Sequence, residues 1–462
     1  MASQRVATTP GTALREETVQ ELRAGFHGDL LLPGPNGYDV ARKVWNGMID
    51  KRPAVIARCA GVADVMNAVE FARTHGFVVA VRGGGHNVAG NAVCDAGIVI
   101  DLSPMKGIRV DPKTRTARAQ GGVTWGEFDR ETQAFGLATT GGEVSTTGIA
   151  GLTLGGGIGW LMGKYGLACD NLLSADVVTA DGRFLTASAT ENEDLFWGLR
   201  GGGGNFGIVT SFEYRLHPVG PVLGGMVAHP LDRAGEVLRF YRDFTAEAPD
   251  ELKVDAGLLT HPEAGPIVAM ALCYCGDVSK GERAVERLRK FGPPLADMLQ
   301  PMPYLDLQRM LDASFPAGRQ NYWKGSFLKG LSDEAIDTFV DYGARVTSPM
   351  TFMLVENLHG AARRVKPTET AFSHREAPYN LIIVSMWADP AESERHIRWT
   401  REFSEAMEPF STGGVYVNYL GEEGEERVRA AYGLNYERLV ALKNKYDPTN
   451  FFRLNQNIKP TV

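Results

Sequence analysis

Residues 82–87 (RGGGHN) hold the residue types in this sequence that are best placed to do chemistry. Three consecutive glycines carry no Cβ, so their backbone N–H groups can converge on an anion such as a pyrophosphate. His86 follows at the tip of the turn, and a neutral imidazole nitrogen is a competent nucleophile. Taken alone, the stretch favours a polar loop with a solvated histidine, so its meaning depends on the rest of the chain.

Two further glycine-rich blocks follow, at residues 148–159 (GIAGLTLGGGIG) and 201–207 (GGGGNFG). A nicotinamide-dinucleotide fold requires such a block between a strand and a helix, with an acidic residue about twenty positions later. Neither block meets that requirement, which disfavours this alternative. The chain also lacks the GxSxG, HExxH and GxxxxGK[ST] motifs of other enzyme classes.

The composition disfavours several other classes of protein. The chain has 462 residues, too many for one ordinary domain, and a net charge of −7 without a basic cluster. Binding to nucleic acid or to an anionic membrane is therefore not expected. Five cysteines without CxxC spacing indicate neither a zinc site nor a disulfide framework, so no metal is expected. The N-terminus lacks a signal-peptide core and no apolar run could span a bilayer, which together predict a cytoplasmic location.

The residue pattern of the chain changes near residues 217–220 (HPVG), where the glycine-rich part ends. Before this point, the pattern predicts a β–α–β unit at 53–81, hairpins at 108–122 and 175–186, and a helix at 123–135. After it, strands are predicted at 224–229, 254–259, 267–274, 351–356, 381–387 and 415–419, and helices at 280–291, 333–345 and 392–407. Several of these strands are consecutive, so an antiparallel sheet covered by helices is the expected architecture.

Six motifs, in a fixed order, carry a resemblance to one family. They are RGGGHN (82–87), GGGIG (155–159), KYGLACDN (164–171), DLFWGLRGGGGNFGIVT (194–210), YVNY (416–419) and YDPTNFF…NQNIKP (446–460). With them, the chain resembles the berberine-bridge-enzyme-like branch of the vanillyl-alcohol-oxidase superfamily of FAD-linked oxidases. The resemblance covers residues 49–460 and is greatest for bacterial members.

The resemblance implies an α+β fold with two lobes. A PCMH-type FAD-binding domain is expected at residues 48–218, packed with an N-terminal lead, 1–47. A substrate-binding domain, an antiparallel sheet covered by helices, is expected at 219–419, and residues 420–462 are expected to return to the FAD domain.

The function implied by the resemblance is that of an FAD-dependent oxidase. It would remove a hydride from an alcohol, phenol, sugar or amine group of a small organic molecule, with O2 as the electron acceptor. Two alternatives stay open: a dehydrogenase that uses another acceptor, and a flavin-containing binding protein with vestigial activity. The oligomeric state is not predicted.

The resemblance also implies how FAD is held. In the family, the histidine of RGGGH is bonded to the 8α-methyl group of the flavin, which implies a covalent link through His86. Doubly linked members have a cysteine at the position of Val144, so a single link is expected, with Cys169 as a small buried side chain. For Asn455 and Asn457 in the tail, capping of the tail backbone explains the residue type as well as a contact with FAD does. The other implied FAD contacts are Arg82, Gly83, Gly84, Gly85, Asn87, Gly121, Gly122, Thr147, Gly148, Gly151, Asn171, Gly207, Ile208, Val209, Asn455 and Asn457.

Oxidation by a flavin also requires a base that takes a proton from a substrate O–H or N–H group. The resemblance points to the YVNY segment, with Tyr419 as the first candidate and Tyr416 as the second. Glu356 is expected to assist or to bind substrate, and Tyr165 is a further candidate for which core packing is equally open. In a strand at 415–419, period-two alternation would let only one of the two tyrosines face the flavin. The aromatic residues expected to line the pocket are Tyr322, Trp323, Phe352 and Trp387.

Overall fold

A computed structural model of the chain describes residues 15–462. Residues 1–14 lie outside the described residues. They are the beginning of the predicted N-terminal lead, and they include most of the stretch that lacks a signal-peptide core. Within residues 15–462, no helix is both long enough and apolar enough to cross a lipid bilayer. The described chain forms mixed α and β structure, which confirms the predicted α+β class.

The first sheet contains the predicted β–α–β unit and directs the glycine turn. Its crossover helix, Val62–His75, ends at Gly76 in the left-handed conformation, with φ of 68°. The strand Val79–Arg82 ends immediately before the RGGGHN turn, so the sheet fixes where that turn begins. In spatial order the four strands are Asp29–Leu31, Val55–Arg58, Ile98–Asp101 and Val79–Arg82, of which the last three are parallel.

The second sheet is antiparallel and holds both predicted hairpins. In spatial order its strands are Ile108–Asp111, Thr116–Gln120, Ile208–Arg215, Leu172–Val178 and Phe184–Ser188. A short pair, Leu137–Ala138 with His217–Pro218, lies beside it. The helices of this lobe and of the tail are Glu16–Ala24, Tyr38–Ala41, Val62–His75, Trp125–Gln133, Ile149–Leu154, Met162–Tyr165, Glu193–Leu199, Glu425–Tyr432 and Tyr436–Tyr446.

The third sheet is the predicted antiparallel sheet of the second half of the chain. In spatial order its strands are Ala296–Asp297, Val222–Pro230, Gly265–Tyr274, Leu252–His261, Phe352–Asn357, Tyr379–Trp387 and Gln320–Leu328, with Gln300–Met302 also paired to Val222–Pro230. The helices of this part are Ala234–Thr245, Val278–Ala284, Glu286–Arg289, Tyr304–Arg309, Asp333–Gly343, Ala361–Arg364 and Ser393–Met407.

The two faces of this third sheet have different partners. On one face, alternate strand residues such as Met353 and Val355 share a core with three long helices, Ala234–Thr245, Asp333–Gly343 and Ser393–Met407. The intervening residues of Phe352–Asn357 face the opposite way and line a cavity between the lobes. The period of two along a strand therefore separates core from site.

The predicted strand at 415–419 is wrong. Val417–Tyr419 forms a single 3₁₀ turn, in which the Tyr419 N–H donates to the Tyr416 carbonyl oxygen at 2.9 Å. Among the described residues, the segment pairs with no strand, and it connects the third sheet to the glycine-rich lobe. There Asn418 Nδ2 donates to the carbonyl oxygen of Leu152 at 3.1 Å. Residues three apart lie on the same side of a 3₁₀ turn, so both tyrosines face one way.

Two other elements differ from the prediction. The helix expected at 280–291 is divided into Val278–Ala284 and Glu286–Arg289, because the residue between them has φ of −94° and ψ of 2°. The strand Gln320–Leu328, which was not predicted, pairs with Tyr379–Trp387 at the edge of the third sheet.

A buried ion pair holds the tail against the glycine-rich lobe. Lys443 Nζ lies 2.7 Å from Asp447 Oδ2, and both side chains are fully buried. The same ammonium donates to the carbonyl oxygens of Asn205 and Phe452, each at 2.9 Å. The tail therefore packs on the first lobe, while the domain boundaries 48–218, 219–419 and 420–462 stay predictions.

Candidate active site

A cavity between the lobes brings together most of the residues singled out in the sequence. The loops that follow strand Val79–Arg82, strand Leu137–Ala138 and helix Glu193–Leu199, together with the tail, form one side of it. The cavity-facing residues of the third sheet and the 3₁₀ turn at Val417–Tyr419 form the other. Any molecule held on the glycine-rich side is thus presented to the sheet.

Two glycine loops meet backbone to backbone at the floor of this cavity. A Cβ on Gly84 would lie 2.4 Å from the backbone nitrogen of Gly148, and a Cβ on Gly148 would lie 2.5 Å from that of Gly84. Gly85 has φ of 72°, a left-handed conformation that other residues rarely adopt. A side chain at Gly84 or Gly148 would collide with the other loop, so these glycines let the two loops pack in contact. Both loops line the cavity, and a glycine-rich backbone of this kind, called the glycine cradle below, suits a pyrophosphate.

His86 lies at the edge of this cradle with its ring held on two sides. Its imidazole stacks on Trp45, with ring centroids 5.2 Å apart and planes 19° apart, and its Nε2 lies 2.9 Å from Thr146 Oγ1. Burial lowers the pKa of His86 to about 4, against a smaller opposing effect of the Asp312 carboxylate. The ring is therefore neutral at pH 7 and keeps a lone pair.

Most of the predicted FAD contacts line the cavity. Besides His86, they are Gly83, Gly84, Gly85, Asn87, Thr147, Gly148, Gly151, Gly207, Ile208, Val209 and Asn455. Asn455 Oδ1 is buried there without a hydrogen-bond partner among the described residues, as expected of an atom that awaits a ligand donor. The pocket, the glycine cradle and this free acceptor fit an elongated dinucleotide.

Five predicted contacts do not line the cavity. The Arg82 guanidinium is buried and donates to the carbonyl oxygens of Ala41 and Lys43. A Cβ on Gly121 or Gly122 would lie 2.6 or 1.8 Å from a backbone carbonyl oxygen, so these glycines permit close packing of strands. Asn171 and Asn457 are the other two.

Tyr165 and Asn171 belong to a structural cluster outside the cavity. Asn171 Nδ2 donates to the carbonyl oxygens of Tyr165 and Leu167, each at 2.9 Å. The Tyr165 ring stacks on His217, with centroids 4.0 Å apart, and its hydroxyl donates to the carbonyl oxygen of Pro218 at 3.3 Å. Of the two open roles for Tyr165, the geometry favours packing.

Glu356 and Tyr419 form a hydrogen-bonded pair on the opposite side of the cavity. The Tyr419 hydroxyl donates to Glu356 Oε1 at 2.8 Å, and Asn380 Nδ2 donates to Oε2 at 2.6 Å. Burial raises the pKa of Glu356 to about 7, with a contribution from Asp255 and an opposing one from Lys253. Burial and the Glu356 charge raise the pKa of Tyr419 well above its ordinary value. Of the pair, Glu356 is the group poised to accept a proton near pH 7.

Tyr416 also lines the cavity, but its hydroxyl is occupied by the glycine-rich lobe. Its oxygen accepts from the backbone N–H groups of Gly157 at 2.9 Å and Ile158 at 3.3 Å, and from Asn418 Nδ2 at 2.8 Å. Burial raises its pKa, and the ring centroid lies 4.8 Å from that of Tyr419. These bonds favour a role in fixing the turn.

The predicted aromatic residues divide according to the face of the sheet. Trp323 and Phe352 line the cavity. Tyr322 accepts from Arg401 Nε at 3.1 Å, and Trp387 stacks on His396, so both face the helix Ser393–Met407 instead.

The cysteines lie away from the cavity, whereas Val144, at the position where doubly linked family members have a cysteine, lines it. Within residues 15–462, which include all five cysteines, none lines the cavity. Cys169 is fully buried, as predicted, and its Sγ lies 3.6 Å from Asp170 Oδ1. Burial raises the pKa of this thiol, which keeps it protonated and unreactive.

Several cavity residues were not predicted from the sequence. Trp45 and Thr146, which hold His86, and Glu143, Phe315 and Asn418, which line the cavity, carry no motif that the sequence alone would distinguish. The one signal in the sequence was proximity to residues that had been singled out. Glu143 and Thr146 lie within two positions of Val144, and Asn418 lies within YVNY.

Comparison with known proteins agrees with this geometry. A family model described as an FAD binding domain matches residues 53–188, and one described as berberine and berberine like matches residues 415–459. An FAD-linked oxidoreductase of Dictyostelium discoideum is 32% identical over 449 residues, which span 96% of this chain and 97% of the relative. The (R)-6-hydroxynicotine oxidase of Paenarthrobacter nicotinovorans is 32% identical over 456 residues, 94% of this chain and 97% of that protein.

A solved structure supports the same assignment. The 6-hydroxy-D-nicotine oxidase of Arthrobacter nicotinovorans superposes with a TM-score of 0.87 at 31% identity, covering 94% of this chain and 98% of that one. The fold and the glycine-lined cavity thus define a flavin-dependent oxidoreductase. The chain belongs to the berberine-like family of FAD-linked oxidoreductases, and FAD is its cofactor.

Proposed function

We propose that this enzyme is an oxidase of a small organic molecule, with Glu356 as the base and O2 as the electron acceptor. The observation that carries the proposal is the Glu356–Tyr419 pair, which faces the glycine cradle across one cavity. FAD, when bound, supplies the acceptor for a hydride from the substrate carbon. A cytoplasmic location remains part of the proposal, from the sequence alone.

The chain's own residues then perform three tasks. Glu356, ionised near pH 7, takes the proton from the substrate O–H or N–H group as the hydride leaves the adjacent carbon. Tyr419 is a positioning residue, because its hydrogen bond orients Glu356 Oε1 and stabilises the ionised form. Tyr416 ties the turn that carries Tyr419 to the glycine-rich lobe, which holds the Tyr419 hydroxyl in place beside Glu356. This assignment moves the base from Tyr419, the first candidate of the sequence, to Glu356.

Tyr419 is the weaker candidate for the base on electrostatic grounds. A phenolate beside Glu356 would place two negative charges within one hydrogen bond in a buried site, which raises the cost of ionising the tyrosine. The carboxylate needs no such second charge, since its partners at 2.8 and 2.6 Å are both donors.

We further propose that FAD is bonded to the chain once, through His86. The neutral imidazole, held between Trp45 and Thr146, offers a nitrogen lone pair to the flavin 8α carbon. Overall, an N–H and a C–H bond are replaced by an N–C bond, and the two electrons and two protons released pass to O2 as H2O2. Val144 carries no thiol, and Cys169 is buried outside the cavity, which supports a single link.

Stopped-flow spectroscopy tests the proposed function. Purified enzyme is screened anaerobically with alcohols, phenols, sugars and amines for bleaching of the flavin, and the reduced enzyme is then mixed with air. The proposal expects fast reduction by at least one compound, fast reoxidation and stoichiometric H2O2. Reoxidation that is slow in air but fast with an artificial acceptor would instead identify a dehydrogenase.

A further inference from the structure

We infer that residues 312–321 in the lobe of the third sheet, called the clasp below, orient His86 for its bond to the flavin. Trp45 and Asp312 act as positioning residues in this task. The inference rests on the proposed covalent link through His86 and deepens it, because it makes attachment of the flavin conditional on packing of the two lobes. It follows from the contacts that hold the two neighbours of the His86 ring.

The first neighbour of the ring is Trp45, which also contacts the backbone of the glycine turn. Its indole stacks on the His86 imidazole with centroids 5.2 Å apart, and its backbone N–H donates to the carbonyl oxygen of Gly85 at 3.0 Å. Trp45 is 5% exposed, so the indole has little freedom to turn away. One residue thus constrains both the backbone that leads into His86 and the plane of its ring.

The clasp holds Trp45 from the opposite side. The indole Nε1–H donates to the carbonyl oxygen of Phe315 at 3.0 Å, and the Gly318 N–H donates to the carbonyl oxygen of Trp45 at 2.9 Å. The Gly47 N–H donates to the carbonyl oxygen of Arg319 at 2.7 Å, and a Cβ on Gly47 would lie 2.3 Å from the carbonyl oxygen of Gly318. The two segments therefore lie in direct backbone contact.

Asn46 joins the glycine turn to the clasp through a single side chain. Its Nδ2 donates to the carbonyl oxygens of Val88 at 2.8 Å and Asn321 at 3.0 Å, and its Oδ1 accepts from the Asn321 N–H at 3.2 Å. Asn46 is buried, and a buried amide that lost these partners would be left unsatisfied at a cost in stability. The turn that carries His86 therefore keeps a fixed distance from the clasp.

The second neighbour of the ring is Thr146, and the clasp holds its loop as well. Thr146 Oγ1 lies 2.9 Å from His86 Nε2. The adjacent Ser145 donates twice to Asp312, from its N–H to Oδ1 at 2.8 Å and from its hydroxyl to Oδ2 at 2.6 Å. Both neighbours of the His86 ring are thus tied to one segment of the other lobe.

Orientation decides the rate of this bond, because the imidazole must meet the 8α carbon along the direction of a nitrogen lone pair. Groups that are held in a near-attack geometry react faster by large factors, and a displacement of about 1 Å can cost about 10²-fold. A turn with three glycines has wide conformational freedom of its own. The clasp removes that freedom through Trp45 and Thr146.

Asp312 contributes charge as well as position. As the N–C bond forms, the imidazole carries a positive charge until its remaining N–H proton leaves, and a nearby carboxylate stabilises that charge. The same carboxylate already opposes the effect of burial on the pKa of His86. The overall change is the one given above: an N–H and a C–H bond are replaced by an N–C bond, and two electrons and two protons pass to O2.

The test compares the rate of covalent attachment with the affinity for FAD. Full-length protein made under riboflavin limitation is mixed with FAD in air, and covalent flavin is followed by mass spectrometry after acid precipitation. The affinity is measured by fluorescence quenching in the His86→Ala background, where the bond cannot form. Trp45→Leu and Asp312→Asn should each slow attachment about tenfold or more and leave that affinity within about threefold. A merely structural role would weaken both.

Two further variants separate orientation from stability. Trp45→Phe keeps an aromatic ring for stacking but loses the indole bond to Phe315, so its attachment rate should lie between those of Trp45→Leu and wild type. Glu251→Gln is the matched control, a carboxylate-to-amide change at another contact between the lobes, where Glu251 Oε1 lies 3.6 Å from Lys164 Nζ. It should attach flavin at the wild-type rate. Asp312→Asn and Trp45→Phe keep the test decisive if Trp45→Leu does not fold.

Each outcome bears on a different claim. Wild-type protein without covalent flavin would overturn the inference and the His86 link together. Covalent wild-type protein, with Trp45→Leu and Asp312→Asn attaching flavin at the wild-type rate, would overturn the inference alone and leave the link in place. Slowing that is matched by an equal loss of FAD affinity, or that Glu251→Gln shows as well, would also overturn it.

Discussion

Tyr419→Phe removes one hydrogen bond from Glu356 and leaves the aromatic ring in place. The lost bond runs from the Tyr419 hydroxyl to Glu356 Oε1 at 2.8 Å. A hydrogen bond to a charged acceptor contributes about 1.5 kcal/mol or more, which is about one pKa unit. The pKa of Glu356, already raised to about 7 by burial, should therefore rise by about one. Because only the ionised form acts as the base, flavin reduction at pH 7 should slow about fivefold.

The pH profile distinguishes this effect from loss of the base itself. The single-turnover rate of flavin reduction is measured anaerobically from pH 6 to 10, with a substrate found by screening. For Tyr419→Phe the rate should recover at high pH, since Glu356 ionises there. For Glu356→Gln it should fall about 10²–10⁴-fold at every pH, since no proton acceptor remains. Tyr416→Phe serves as the matched control, with the same atom removed from the neighbouring ring, and should keep the wild-type pH midpoint.

Two results would refute this reasoning. A loss of about 10²-fold or more in Tyr419→Phe at all pH values, with Glu356→Gln close to wild type, would return the role of base to the tyrosine. A loss of about 10²-fold or more in Tyr416→Phe, with Glu356→Gln close to wild type, would give the role of base to Tyr416.

Three further predictions concern the cofactor and the stability of the fold. Acid precipitation should retain flavin on the wild-type protein and release it from His86→Ala, and the flavin peptide should contain His86; a flavin peptide with Cys169 would contradict a single link. Asp129 is fully buried without a hydrogen-bond partner among the described residues, and burial raises its pKa well above the ordinary value. The proton it keeps stabilises the fold below pH of about 4, and this contribution is lost as pH rises through the higher folded pKa. Asp129→Asn should therefore raise the melting temperature more at pH 8 than at pH 5, and an equal change at both would argue against it. Lys443→Met leaves the buried Asp447 carboxylate without its cation, so the free energy of unfolding in urea should fall by about 3–5 kcal/mol. The double variant with Asp447→Asn removes the charge but keeps a side-chain acceptor beside the N–H groups of Phe451 and Phe452, which donate to Asp447 at 2.7 and 2.9 Å. It should recover much of that loss, and a double variant as unstable as Lys443→Met would refute the ion-pair explanation.

The sequence by itself determined the class of fold and the cofactor side of the site. Local rules predicted the glycine turn after a β-branched strand, and the six motifs taken together, by their resemblance to one family, supplied the cofactor. The contacts Gly83–Gly85, His86 and Asn87 are therefore visible as one motif, and the structure places all of them on the cavity. The strand at 351–356 was also predicted from the sequence, and its period of two places Phe352, Leu354 and Glu356 on the cavity.

Only the tertiary structure decided the conformation of the YVNY segment and hence which of its tyrosines contacts Glu356. The pattern VYVNY suits a strand, yet the segment has no strand to pair with and turns instead, held by Tyr416 and Asn418 against the glycine-rich lobe. That turn places the Tyr419 hydroxyl on Glu356, 63 residues earlier in the chain, and settles which of the two is easier to ionise. Long-range pairing of this kind leaves no local signal.

The same reason explains the residues that the sequence did not reveal. Trp45 contacts His86 from a separate element 41 positions earlier, and Phe315 reaches the cavity from the segment after a short helix, Tyr304–Arg309. Tyr165 and Asn171 lie in the KYGLACDN motif but pack against His217, outside the site. Composition and spacing predict which residues suit a chemistry, whereas the distances that allow it depend on how the two lobes pack together.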